Sequence, residues 1–141
     1  MQAVIFLTII CSAINGVSSR WVEWNDHSYK VYHWPATFDQ AEAQCRSVGG
    51  HLASIHSEEE NNFIHSLATT RRPQRSYKGF AWMGLRQASW PLSNRWTWTD
   101  GTPIYSDSGP GMYAVIEKYW NDMPCASRVA RFVCKRGQCC S

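Results

Sequence analysis

Few side chains of this sequence are arranged for catalysis. No Gly-x-Ser-x-Gly elbow is present, and no Cys and His can be argued to be neighbours, so nothing supports nucleophilic catalysis. His51, His56 and His65 lack the spacing of a zinc site. The three acids at 58–60 open a predicted helix, where negative charge favours the helix dipole, so they indicate a structural role. The sequence predicts a binding protein and no enzyme.

The cysteines are the residues whose chemistry is most informative. Cys11 lies in residues 1–19, which carry no charged side chain and include an apolar stretch of the length found in secretory signal peptides. We therefore predict a signal peptide at 1–19 and a secreted, extracellular protein, in which disulfides are the default state of cysteine. The cysteines that remain are odd in number, so at least one is free, capped or bound to another chain. They are Cys45, Cys125, Cys134, Cys139 and Cys140.

Length and composition predict one globular domain. The chain has 141 residues, of which 44% are hydrophobic and 18% charged, so a sizeable core can form. A net charge of +3 is too small to indicate a nucleic-acid-binding protein. There is no glycine-rich phosphate loop, and the longest apolar run is too short for a transmembrane segment. Nucleic acid and nucleotides are therefore not expected partners.

Two helices followed by short strands are predicted along the mature chain. Thr37 with Gln40 has the pattern of a capping box, and Gly49-Gly50 would end the helix that follows. Ser57 with Glu60 has the same pattern before a second helix. Short strands are predicted at 29–32, 51–55, 80–85, 95–99, 113–116 and 131–134. This order predicts the α+β class within one domain.

Several phrases in this order resemble the C-type lectin-like domain family. The resemblance covers about residues 21–136 and implies a short form of the domain at 20–136, followed by a short C-terminal Cys tail at 137–141. It implies two helices with a small, mostly antiparallel set of short strands, closed by a disulfide. The phrases are Ala43-Gln-Cys45, Gly50-His-Leu-Ala-Ser-Ile55, Ser57-Glu-Glu-Glu-Asn-Asn-Phe63, Trp82-Met-Gly-Leu85, Trp96-Thr-Trp-Thr-Asp-Gly-Thr-Pro103, Trp120-Asn-Asp122 and Phe132-Val-Cys134.

The resemblance also implies a pairing for the cysteines. Cys45 on the first helix would bond to Cys134 on the last strand. The second bridge of the family would join Cys125 to a cysteine that this sequence lacks. Cys125 is then free, or it pairs with Cys139 or Cys140 in the tail, or it joins another molecule in a disulfide-linked dimer.

A calcium site is the chemistry that the family uses to bind sugar. Asn121 and Asp122 match the family's strand ligands, but the loop at 103–112 is short and lacks the Glu-Pro-Asn or Gln-Pro-Asp triplet. Asp107 is the carboxylate of that loop and Glu117 is the next along the chain. Because Ca²⁺ takes about 6–8 oxygen ligands, these donors predict a poor cage. We expect calcium dependence to be weak or lost, with Asn121 and Asp122 acting as turn formers in the alternative interpretation.

The remaining candidates are aromatic and basic. Trp90, beside Pro91, could stack on a sugar face or anchor a packed loop, whereas Trp82, Trp96, Trp98 and Trp120 are expected in the core. Two basic clusters are interpreted as solvated faces, with attraction to anionic glycans or surfaces as the alternative. They are Arg71, Arg72, Arg75 and Lys78, and Arg128, Arg131, Lys135 and Arg136.

Together these features predict an extracellular binding protein on the C-type lectin-like scaffold. The main hypothesis is carbohydrate recognition, with glycans or glycoproteins as partners and Trp90, Asp107, Glu117, Asn121 and Asp122 as candidate ligand-binding residues. The alternative is a calcium-independent module that binds an extracellular protein or an anionic surface, with a role in immunity, defence or the matrix.

Overall fold

The computed structural model describes residues 20–70, 80–87, 89, 91–104, 114–116 and 119–137, and for 114–116 and 119–121 the description is of the backbone. The predicted signal peptide at 1–19 lies outside the described residues. The same holds for Trp90, Asp107, Glu117, Cys139 and Cys140.

The described residues form two helices and a set of short strands, which confirms the predicted α+β class. The helices are α1 (Phe38–Ser47) and α2 (Glu58–Thr69). The strands are β1 (Val22–Trp24), β2 (His27–Tyr32), β3 (His51–Leu52), β4 (Ala81–Trp82), β5 (Leu85–Arg86), β6 (Thr97–Trp98), β7 (Ala114–Ile116), β8 (Tyr119–Asn121) and β9 (Arg131–Gly137). Neither helix is both long enough and apolar enough to cross a membrane.

The last strand, β9, organises the main sheet. It pairs antiparallel with β2, from His27 opposite Gly137 to Tyr32 opposite Phe132. It also pairs antiparallel with β3 and parallel with β4, while β1 extends the sheet beyond β2. Two further antiparallel pairs are β5 with β6 and β7 with β8. The described strands are therefore mostly antiparallel, as predicted.

The capping box predicted for α1 is present. The Gln40 backbone N–H donates to Thr37 Oγ1 at 3.3 Å, and the Thr37 backbone N–H donates to Gln40 Oε1 at 3.1 Å. These bonds satisfy donors that the first turn of a helix leaves unpaired. Phe38, Ala41 and Cys45 then fall on one buried face, and Cys45 is bonded to Cys134 on β9.

The second predicted capping box is only half formed. Ser57 Oγ accepts a hydrogen bond from the Glu60 backbone N–H at 3.0 Å, as predicted. The Glu60 carboxylate accepts from the His56 backbone N–H instead of the Ser57 N–H, because it turns into the interior of the protein. Glu60, Ile64 and Ala68 form the buried face of α2.

The two helices lie on opposite faces of the main sheet. Side chains alternate along each strand, so Tyr29, Val31 and Val133 join a core with Ile64 and Ala68 of α2. A second core contains α1 residues together with alternate residues of the strands; its members include Phe38, Cys45, Leu52, Trp82, Phe132 and Cys134. Trp82 and Trp98 are both buried, which confirms their prediction as core rings.

Close backbone approaches require glycine at two positions near β9 and β3. A Cβ atom on Gly50 would lie 2.5 Å from the carbonyl oxygen of Lys135, and one on Gly84 would lie 2.5 Å from that of Leu52. Both contacts are with backbone atoms, which cannot rotate away. Residues 50 and 84 therefore keep neighbouring segments tightly packed beside the sheet.

Candidate functional site

The predicted calcium ligands lie at the end of β8. Asn121 is the last residue of this strand, where its backbone pairs with Ala114, and Asp122 follows with an exposed side chain. Within the part of the chain that the structure describes, no three His, Cys, Asp or Glu side chains form a group that could hold a metal ion. Asp122 by itself does not fit Ca²⁺, which needs about 6–8 oxygens. Asp107 and Glu117 lie outside the described residues, so the expectation that calcium dependence is weak or lost stays a prediction.

A buried ion pair joins β9 to α2, close in the fold to the turn at 100–102 that precedes the predicted ligand loop. Lys135 Nζ of β9 and Glu60 Oε1 of α2 are 2.5 Å apart, and their side chains are 8% and 6% exposed. Tyr29 Oη donates to the same carboxylate oxygen at 2.6 Å, and the His56 backbone N–H donates to Glu60 Oε2 at 2.8 Å. Buried charges need both an ionic partner and hydrogen bonds, and Glu60 has both.

The same polar network continues to residues 100–102. Lys135 Nζ also donates to the carbonyl oxygen of Ser54 at 3.1 Å, and Ser54 Oγ donates to Asp100 Oδ2 at 2.5 Å. Asp100 Oδ1 accepts from the Thr102 backbone N–H at 3.0 Å and from its hydroxyl at 2.6 Å. His56 Nε2 lies 2.9 Å from Thr102 Oγ1. We call this set the Lys135 network: Tyr29, Ser54, His56, Glu60, Asp100, Thr102 and Lys135.

The network keeps its two carboxylates charged despite burial. Burial acts to raise the pKa of Glu60, but the hydrogen bonds from Lys135, Tyr29 and His56 outweigh it and hold that pKa below its usual value. Burial opposes the charge of Asp100 in the same way, and hydrogen bonds from its neighbours again lower the pKa. The network is therefore a charged structure that links the sheet, α2 and the turn at 100–102.

His56 is expected to make the protein less stable between pH 7 and pH 5. Partial burial, and then the positive charge of Lys135, lower the pKa of His56 in the folded protein. The unfolded chain, where the pKa of histidine is about 6.5, then binds the proton more tightly. The stability that comes from neutral His56 is complete above that pH and is lost as the pH falls through the folded-state pKa. The lowered pKa values of Glu60 and Asp100 have the same sign below about pH 4.

The measurement is the thermal unfolding midpoint at pH 7 and pH 5 for the wild type and for His56→Gln. The variant removes the titrating ring and should show a smaller decrease between the two values of pH. An equal decrease in both proteins would exclude His56 as the source.

The prediction that Arg131 and Lys135 lie on a solvated face is wrong. Both residues are buried, with only 4% and 8% of their surface exposed. The Arg131 guanidinium donates to the carbonyl oxygen of Ala68 near the end of α2. The sequence did contain a sign of this burial. Arg131, Val133 and Lys135 are two residues apart along β9, so both cations share the strand face of a core residue, which packs against α2.

The predicted disulfide between Cys45 and Cys134 is present and joins α1 to β9 across 89 residues of sequence. Cys125 has a free, exposed thiol in the structure. Since both tail cysteines lie outside the described residues, the pairing of Cys125 with Cys139 or Cys140 stays a prediction.

Comparisons with known proteins agree with this fold. Residues 35–136 match the family model of the lectin C-type domain. A snaclec of Echis carinatus, named as a coagulation factor IX/factor X-binding protein, is 32% identical over 126 residues, covering 84% of this chain and 95% of the relative.

Two solved structures show the same architecture. The C-type carbohydrate-recognition domain of cow CD23, solved in the presence of a GlcNAc2Man3 oligosaccharide, has a TM-score of 0.64 at 28% identity, covering 85% of this chain and 95% of that one. A calcium-independent type II antifreeze protein has a TM-score of 0.61 at 28% identity, with 83% and 91% covered. On the family match, the sequence similarity and the shared fold, this chain belongs to the C-type lectin domain family.

Proposed function

We propose that this protein is secreted and recognises carbohydrate, with calcium dependence weak or lost. The observation that carries the proposal is the hydrogen bonding of Asp100, directly before the predicted ligand loop. One carboxylate oxygen accepts from Ser54, and the other accepts twice from Thr102. The protein's own donors therefore hold the turn that leads into the loop, so this turn needs no metal ion to keep its conformation.

The two solved structures support the two parts of this proposal. The cow CD23 domain was solved in the presence of an oligosaccharide, so a related chain with this fold is associated with carbohydrate. The antifreeze protein is calcium-independent, so the scaffold can support a function without the ion.

A calcium-independent protein-binding role is the second candidate. Leu92 is 93% exposed and Ile104 is 41% exposed, and both belong to the irregular segments around β6. Burying these side chains against a partner would contribute favourable free energy to binding. The Echis carinatus relative is itself named for binding coagulation factors IX and X.

Glycan binding by the mature protein should persist in EDTA. We expect array signals with Ca²⁺ and with EDTA to differ by no more than about twofold, because no bond to the ion contributes to binding. The variant Asn121→Ala/Asp122→Ala should bind as the wild type does. Signals that disappear in EDTA would contradict calcium independence, and a protein that binds no glycan under either condition would favour the protein-binding role.

We also propose that Cys125, when oxidised, pairs with another molecule and not with the tail of its own chain. The Cys125 carbonyl accepts a hydrogen bond from the Phe38 backbone N–H, at the first residue of α1. This hydrogen bond places Cys125 near the Arg131 end of β9, because Ala36 pairs there with Val129. Gly137, after which the tail begins, pairs with His27 at the other end of the strand. The seven residues of β9 span about 20 Å, whereas two or three tail residues together with the Cα–Cα span of a disulfide reach only about 12–17 Å. A dimer linked through Cys125 would raise avidity for clustered ligands.

A further inference from the structure

A row of half-exposed aromatic and basic side chains lies on the face of β2 and β9 opposite α2. The Arg136 guanidinium lies 3.9 Å from the centroid of the Trp21 ring. Lys30 Nζ lies 6.0 Å from the same ring and 4.9 Å from the centroid of the Tyr32 ring. We call this row the basic–aromatic strip: Trp21, Lys30, Tyr32, Trp34 and Arg136.

The strip is anchored in the core. Because side chains alternate along β2, Lys30 and Tyr32 point away from the core that Tyr29 and Val31 share with α2. The Tyr32 ring stacks on the buried Phe132 ring at 4.9 Å. Trp34 meets the same Phe132 ring edge-on at 4.8 Å and is itself 39% exposed. The rings therefore hold the cations of the strip in position before any ligand arrives.

The cations of the strip are not neutralised by the rest of the described chain. Lys30 and Arg136 form no ion pair with any carboxylate in the described ranges. Lys30 Nζ donates to no oxygen of those residues, and the Arg136 guanidinium donates from Nη1 only to the uncharged carbonyl oxygen of Val48, at 3.2 Å. Arg128 extends the row, since it donates to the carbonyl of Pro35, next to Trp34, and is also without an ion pair there. The strip therefore offers positive charge that no carboxylate of the described ranges pairs with, which suits a ligand with repeated anionic oxygens.

We propose that the basic–aromatic strip is a binding site for a sulfated polysaccharide. This inference rests on the proposed function, because the ligand is a carbohydrate, but it places the site away from the loop at 103–112. Guanidinium and ammonium groups pair with sulfate oxygens, and the exposed part of Trp34 offers apolar surface to a sugar ring. Binding needs no metal ion, because the charges come from the protein's own side chains.

The arrangement of the rings favours a sulfated polysaccharide over single-stranded nucleic acid. Proteins that bind single strands present successive open ring faces on which the bases stack. Here Arg136 lies over Trp21, and Tyr32 is stacked on Phe132 beneath Lys30. These rings position cations instead of binding bases. The strip would therefore bind its ligand mainly through charge, with Trp34 as one contact to a sugar ring.

The test is binding of heparin to the mature protein in EDTA at physiological salt, measured by surface plasmon resonance. We expect Lys30→Gln/Arg136→Gln to weaken heparin binding about tenfold, because each lost charge contact is worth a few-fold in affinity. Trp34→Ala should weaken it a few-fold without changing the net charge. Lys30→Arg/Arg136→Lys, which keeps both charges, should restore most of the affinity.

The matched control is Arg71→Gln/Arg72→Gln, which removes the same charge from the other basic cluster of the sequence and should leave binding within about twofold. Equal losses in the two double variants, equal binding of desulfated heparin, or equally tight binding of single-stranded DNA would each overturn the inference. Unchanged urea unfolding midpoints would show that the variants are folded. If strip variants leave heparin binding intact, only this inference fails; if the wild type binds neither heparin nor any glycan of the array, the proposed function fails as well.

Discussion

Replacing Lys135 with methionine is expected to lower the free energy of unfolding by about 3–5 kcal/mol. The substitution removes the ionic partner of Glu60, whose side chain is 6% exposed, and leaves a buried carboxylate with hydrogen bonds only from Tyr29 and the His56 backbone. It also removes the donor that reaches Ser54, on the path to Asp100. Urea unfolding followed by tryptophan fluorescence measures the change.

Two variants separate loss of the ion pair from loss of a charge in general. Glu58→Gln changes an exposed acid in the same helical turn as Glu60 and should cost less than about 0.5 kcal/mol. Lys135→Met/Glu60→Gln removes both charges and should recover part of the stability lost in Lys135→Met, because no unpaired charge is left buried. If Lys135→Met costs no more than Glu58→Gln, the buried pair is not the feature that stabilises this region.

Removing the Cys45–Cys134 disulfide should have an effect of similar size. The bond joins residues separated by 89 positions, and in the chain-entropy model closing such a loop stabilises the fold by about 4–5 kcal/mol. Both cysteines are completely buried, so Cys45→Ala/Cys134→Ala avoids introducing hydroxyl groups into the core. The expected result is a large decrease in the urea midpoint, equal to that of the wild type after reduction.

Cys125→Ser is the matched control, since Cys125 is free and exposed in the structure. It should leave the urea midpoint unchanged. If Cys125 links two chains, the variant should also lose the dimer band that the wild type gives on a non-reducing gel. A decrease in midpoint as large as that of the double variant would mean that Cys125 takes part in an intramolecular bridge that stabilises the fold.

The sequence predicted the elements whose causes are local. The capping box of Thr37 and Gln40 depends on residues three apart, so it could be recognised from the sequence alone. The resemblance to a known family supplied the disulfide between Cys45 and Cys134, which local pattern could not supply. Strand lengths were less well predicted, since β3 is two residues long where five were expected.

In the candidate site, too, the sequence predicted the residues that belong to a local phrase and missed those that meet only in the fold. The sequence identified Asn121 and Asp122, whose neighbourhood is a short recognisable phrase, but it did not find the Lys135 network. The pairs Lys135–Glu60, Ser54–Asp100 and His56–Thr102 join residues 75, 46 and 46 positions apart. Such contacts exist only after β9, α2 and the turn at 100–102 have packed together, and no local pattern of charge records them.

By itself, the sequence determined the family, the α+β class, the start of both helices and the core positions of Trp82 and Trp98. Only the tertiary structure decided which charges are buried and which remain available. It placed Lys135 and Glu60 together inside the protein, and it placed Lys30 and Arg136 over aromatic rings at the surface. The physical reason is that neighbours in a folded sheet are set by strand register and helix packing, whereas a sequence records only the order of residues along the chain.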